Sequence, residues 1–113
     1  MKRSYKDYLQ DIAESIDKIE EFTSSFLSDE DFKHDSKTVF AVIRALEIMG
    51  EAVKKIPAAV KSKYHQVPWK EIAGMRDKLI HEYFGVNATV VWNTVKEDIP
   101  IIKPLINKII QDL

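Results

Sequence analysis

Arg76, Asp77, His81 and Tyr83 place a permanent cation, a carboxylate, an imidazole and a phenol within eight residues of one another. No other stretch of the chain combines these groups. On an ideal helix Arg76 and His81 leave the axis roughly 140° apart, so they do not form a pair on one face. Asp77 and His81 stand four residues apart and share a face, where the carboxylate can accept the imidazole N–H and orient the ring. Tyr83 returns to within about 20° of Arg76. The spacing therefore pairs Arg76 with Tyr83 and Asp77 with His81.

A cation and an imidazole suit cleavage of RNA without a metal. Attack of a 2′-hydroxyl on its phosphate needs a base for the proton, a cation for charge on the phosphoryl oxygens and an acid for the leaving 5′-oxygen. One imidazole cannot conveniently be both base and acid in a single step. A two-fold homodimer would supply a second His81 and a second Arg76, so a composite site across such a seam is expected. The bland alternatives are an ion pair between Arg76 and a helix carboxylate, a His81 cation at a helix C-terminus, and a half-buried Tyr83 with a wet hydroxyl.

The elements that must hold these groups are helical. Ser4 with Asp7 resembles a capping box, and Tyr5, Tyr8, Leu9, Ile12, Ile16, Ile19, Phe22 and Phe26 recur at three- and four-residue steps, predicting a long first helix. Asp11, Glu14, Asp17, Lys18 and Glu21 form its wet side. Residues 28–35 read as a polar connector with a short turn of helix around Phe32. A second helix over residues 36–56 carries Val39, Ile43, Leu46, Gly50 and Val53 on one side. Gly50 in mid-helix costs about 1 kcal/mol against Ala, which close approach of a neighbouring helix would explain. Arg44, Glu47, Glu51 and Lys55 make a second stripe, either a solvated ion-pair ladder or, for Glu47 or Glu51, one wall of a cleft facing Arg76.

Pro57 ends that helix, and residues 58–64 allow one or two further turns. Pro68 at the first helical position starts the motif helix, expected to reach Phe84 and stop at Gly85, with Ile72, Met75, Leu79 and Phe84 on its apolar side. Asn87 is a plausible N-cap for the last helix, carrying Val91, Val95, Ile99, Ile102, Ile106, Ile109 and Leu113. Pro100 and Pro104 predict a bend or break between Lys96 and Pro104. With no strand signal, the expected fold is all-α: one domain over residues 1–113, an up-and-down bundle of four main helices plus one or two short ones.

Composition narrows the function. The chain has 113 residues, no Cys and a formal net charge of −1, so disulfides and thiolate metal sites are excluded and any hold on nucleic acid must be a local patch. Lys54, Lys55 and Lys78, with Lys61 and Lys63 near Tyr64, could track a phosphate backbone, although a solvated face explains them too. A start without an apolar core segment, and no run long enough for a membrane span, give a cytoplasmic expectation. There is no Gly-rich phosphate loop and no nucleophile elbow. His34, His65 and His81 lack metal-site spacing, so no metal or cofactor is expected. His34 and His65 read as surface residues, and Trp69 and Trp92 as packing residues.

Several segments in order strengthen one reading. Arg44-Ala45-Leu46-Glu47-Ile48-Met49-Gly50-Glu51-Ala52, then Val67-Pro68-Trp69, Gly74-Met75-Arg76-Asp77, His81-Glu82-Tyr83 and Asp98-Ile99-Pro100 resemble HepT-like toxins of the HEPN superfamily. The resemblance implies a HEPN-like bundle, a homodimer, and a metal-independent endoribonuclease toxin of a type VII HEPN/MNT toxin–antitoxin pair, encoded beside a minimal nucleotidyltransferase antitoxin. It makes Arg76 and His81 catalytic, gives Asp77 a supporting place where Asn is common, and makes Tyr83 the acceptor of AMP groups from the antitoxin. A phosphodiester on that phenol, on the side of the helix shared with Arg76, would occupy the cation and obstruct the phosphate site. The rival reading is a non-catalytic helical adaptor of a nucleotidyltransferase, which would cut no RNA.

Overall fold

In the computed structural model the described residues are 2–80 and 87–113, with the backbone alone described for Arg76 and residues 78–80. Among them the fold is helical, with no strand. The first helix, α1 (Tyr5–Thr23), starts where the sequence places it, the Asp7 carboxylate accepting the Ser4 N–H at 2.9 Å. Leu9, Ile12, Ile16 and Ile19 are fully buried, each worth about 1.5–3 kcal/mol against exposure. The helix stops at Thr23, short of Phe26. The Thr23 hydroxyl donates back to the Ile19 carbonyl at 2.8 Å and Ser24 to Glu21 at 3.0 Å, a local bonding that competes with continued helix.

The connector contains α2 (Asp29–Lys33), capped by the Ser28 hydroxyl, which accepts from the Asp31 N–H. Its Phe32 is fully buried. The second long helix, α3 (Ser36–Lys54), is capped by Asp35, which accepts from the Thr38 N–H at 3.0 Å. It packs against α1 on one side and the motif helix on the other. After Pro57 comes α4 (Ala58–Lys63), followed by α5 (Trp69–Ile80). The motif helix begins one residue after Pro68, whose carbonyl accepts from Ile72 at 3.0 Å. Trp69 is buried and its indole N–H lies 3.1 Å from the Lys61 carbonyl and 3.0 Å from that of Tyr64. One side chain thus ties α4 to the start of α5, the packing role expected of it. The expected run of the motif helix to Phe84 and its stop at Gly85 lie outside the described residues.

Asn87 caps α6 (Ala88–Asn93), accepting from the Val90 N–H at 3.2 Å. The break expected between Lys96 and Pro104 is present and begins two residues before that window. Residues Thr94–Asp98 form a π turn, in which the Ile99 N–H bonds to Thr94, and α7 (Ile99–Asp112) follows. The wider turn shifts the register just before Pro100, so the proline ring enters at the first turn of a new helix, where its missing N–H costs nothing. Pro104 lies inside α7 without ending it. Ile99, Ile102, Ile106 and Ile109 close the core against α1. No described helix is long and apolar enough to cross a membrane.

Candidate active site

Gly50 sets the depth and register of the helix pair that carries the site. A Cβ built on it would stand 3.3 Å from the Ile72 carbonyl oxygen and 3.5 Å from that of Ala73. This is the close approach that the sequence demanded. The contact falls near the end of α3 and near the start of α5. Only an antiparallel course then lets α5 lie along α3, as their extensive packing requires.

That register sorts the candidate carboxylates. Counting back from Gly50 on α3 and forward from Ile72–Ala73 on α5 puts Glu47 level with Met75 and Arg76. Glu51 falls a turn away, level with the first turns of α5. Glu47 is also the more enclosed, half-buried where Glu51 is exposed. Of the two, Glu47 is therefore the one level with residue 76, and it is not free of partners. Asp77 is exposed and likewise engaged. The side chains of Arg76 and Lys78, and His81 and Tyr83 entirely, lie outside the described residues, so the structure supplies the frame on which the sequence hangs them.

The lysines are spread out. Lys54 and Lys55 are exposed at the C-terminal end of α3, seven and eight residues beyond Glu47 and so roughly 10 Å along the axis. Lys63 lies over the Tyr64 ring at 5.4 Å. His34 is exposed and pairs with Glu30 at 3.0 Å, and Lys33 joins the same carboxylate at 2.8 Å. The hydrogen bond from Lys33, then that from His34, hold the Glu30 carboxyl below its ordinary range. His65 is exposed as well. Trp92 packs on Phe32 at 5.2 Å, with the Lys96 ammonium over its ring at 4.5 Å. Among the described residues no three His, Asp or Glu side chains cluster as metal ligands would.

One feature escaped the sequence reading. Pro68, Glu71, Gly74, Met75, Thr94, Asp98, Ile101 and Ile102 line a mostly apolar cleft of about 470 Å³ between α5, the π turn and α7. Its signals were the glycine inside the motif helix, Gly74, and an isoleucine off the core stripe, for Ile101 is 60% exposed.

The fold defines a small helical domain in which a carboxylate-bearing helix, α3, lies antiparallel to the helix that carries residue 76. The chain belongs to the ribonuclease HepT-like family, whose model matches residues 12–109. It is similar to "Probable ribonuclease HepT" of Thermococcus cleftensis, 61% identical over 109 residues, covering 96% of this chain and 98% of that protein. It is also similar to two proteins of Methanocaldococcus jannaschii. "Putative RNase MJ1216" is 50% identical over 99% of this chain and 92% of its own length, and "Putative RNase MJ0125" is 51% identical over 99% and 96%. No solved structure matches the chain significantly.

Proposed function

We propose that this protein is a metal-independent endoribonuclease toxin that cuts RNA at a site shared by two copies of the chain. The observation that carries the reading is the level match of Glu47 on α3 with residue 76 on α5, fixed by the Gly50 contact. It comes within a family of ribonucleases. Arg76 neutralises charge on the scissile phosphate, with Glu47 as the carboxylate that holds its guanidinium and Glu51 further along the same wall. His81 moves the protons, and Asp77, four residues before it, fixes its tautomer. Lys54, Lys55 and Lys78 hold flanking phosphates. The second copy supplies the imidazole that the first lacks.

A nucleotidyltransferase antitoxin is the proposed partner, silencing the enzyme by adding AMP to Tyr83. The added phosphodiester stands beside the cation meant for substrate. Purified protein should cleave single-stranded RNA in the presence of chelator, with specific activity falling on dilution as copies separate. Cleavage that needs an added divalent ion, or that is indifferent to dilution, contradicts the reading. Co-expression with the nucleotidyltransferase should add AMP units to the intact mass, and Tyr83→Phe should remove them and restore cleavage. An unchanged mass in both would remove the regulatory half while leaving the nuclease.

A further inference from the structure

Charge is unevenly divided along the chain. Residues 52–70 hold five of the 17 basic side chains, Lys54, Lys55, Lys61, Lys63 and Lys70, and none of the 18 acidic ones. The segment therefore carries +5 and the remainder −6, of a formal net −1. The fold gathers part of this charge. Lys61, Ser62, His65, Gln66 and Lys70 surround a shallow hollow where α4 meets the start of α5, with Glu71 the single carboxylate among its described lining residues. The Trp69 indole N–H, shared between the Lys61 and Tyr64 carbonyls, holds the two sides of the hollow at a fixed spacing.

Helix ends explain some of these lysines and not others. Lys54 lies in the last turn of α3, and Lys61 and Lys63 in that of α4, where the aligned peptide dipoles favour a cation. Lys70 lies in the first turn of α5, where the same dipoles oppose one. Three cations elsewhere each have an acid: Arg3 has Asp11, Lys33 has Glu30 and Lys103 has Glu20. Among the described residues no carboxylate pairs with any of the five lysines of this segment. Like charge gathered in this way, in a chain otherwise acidic, calls for a polyanion from outside.

The surface also says which kind. The large apolar side chains that stand exposed among the described residues, Leu27, Phe40, Ile101 and Leu113, all lie outside it, so the hollow lacks the anchor a protein partner would use. Nor is there a platform for bases, since Trp69 is buried and Lys63 lies over the Tyr64 ring. What remains is a set of ammonium groups suited to phosphate oxygens and indifferent to sequence. We infer that the corner of α4 and the start of α5 anchors the phosphate backbone of the RNA substrate through Lys61, Lys63 and Lys70, apart from the site of cleavage. The identity of the polyanion rests on the proposed function, and the place of the anchor on the geometry of the corner. These are positioning residues: Lys70 stands six residues before residue 76 on α5, roughly 9 Å of rise.

A single-stranded RNA of about 20 nucleotides with 2′-O-methyl riboses can bind without being cut, because the attacking hydroxyl is blocked. Its affinity is read by fluorescence anisotropy across a salt series. Lys61→Gln/Lys63→Gln/Lys70→Gln should lower the log–log salt slope by about 2, at roughly 0.7 per phosphate contact, and weaken binding about tenfold at physiological salt. Lys18→Gln/Lys37→Gln/Lys108→Gln removes the same charge from exposed positions elsewhere and should leave the slope unchanged. On cleavable RNA the first triple should raise KM about tenfold and keep kcat within about twofold. Lys63→Gln/Lys70→Gln, at exposed positions alone, decides the matter if circular dichroism shows the triple unfolded. A wild type that does not bind the methylated RNA, an unchanged slope in the first triple, or an equal loss in both triples overturns the inference. So does loss of nucleotidyltransferase binding with RNA affinity intact, which would give the corner to an acidic protein. A protein that holds methylated RNA through these lysines yet cuts no RNA would keep the anchor and refute the nuclease.

Discussion

Arg76→Ala and His81→Ala are each expected to lower RNA cleavage by about 10²–10⁴-fold, or roughly 3–5 kcal/mol of transition-state stabilisation. Neither should change the unfolding midpoint in urea by more than the scatter of a surface substitution. The size follows from what each group does. The guanidinium answers charge that grows on the phosphoryl oxygens as the 2′-oxygen attacks, and the imidazole carries protons in the same step. Arg76→Lys should recover only part of the loss, because a point charge replaces a fork that can hold two oxygens at once. His81→Ala should also flatten whichever limb of the pH–rate profile the imidazole governs, an effect that no purely structural role would produce. Initial rates on a fluorogenic RNA in chelator measure all of this. Wild-type rates in both alanine variants would refute the assignment of the site and leave the adaptor reading, in which the bundle binds a nucleotidyltransferase and cuts nothing.

The helices were legible because their signals are local. The α1 stripe, the Ser4–Asp7 capping box, the Asn87 cap and the demand of Gly50 for a close neighbour each depend on residues a few positions apart. Long-range choices were less visible. The prolines announced a break, but the wider turn at Thr94–Asp98 that accommodates Pro100 depends on register within the preceding turn. The same limit applies to the site. Composition offered Glu47 and Glu51 equally, and only the depth at which α3 meets α5 separates them. Gly74 looked like part of a motif until its surroundings proved open. A sequence records that a side chain is missing, but only the fold tells whether a neighbour fills the space.

Phe32→Ala should destabilise the fold by about 3–5 kcal/mol, the cost of deleting a fully buried aromatic side chain and leaving a cavity. The residue sits in a five-residue helix that could not hold itself together by hydrogen bonding alone. Its ring meets Phe26 edge-on at 5.9 Å and Trp92 at 5.2 Å, so it joins the end of the α1 region to α6. The Thr89 hydroxyl adds a 3.0 Å bond to the Asp29 carboxylate across the same α2–α6 contact. Because α6 starts at Ala88, this contact also fixes the chain directly after the segment that carries His81. Loss of Phe32 should therefore lower RNA cleavage before the protein unfolds, whereas Phe32→Leu, which keeps most of the apolar volume, should cost less than half as much stability. Phe40→Ala, at a position 64% exposed, should stay within about 0.5 kcal/mol and serves as the control. Urea unfolding followed by tryptophan fluorescence reads the comparison directly, since Trp92 reports on the packing that Phe32 provides. A Phe32→Ala variant no less stable than Phe40→Ala would mean that α2 is not anchored as described.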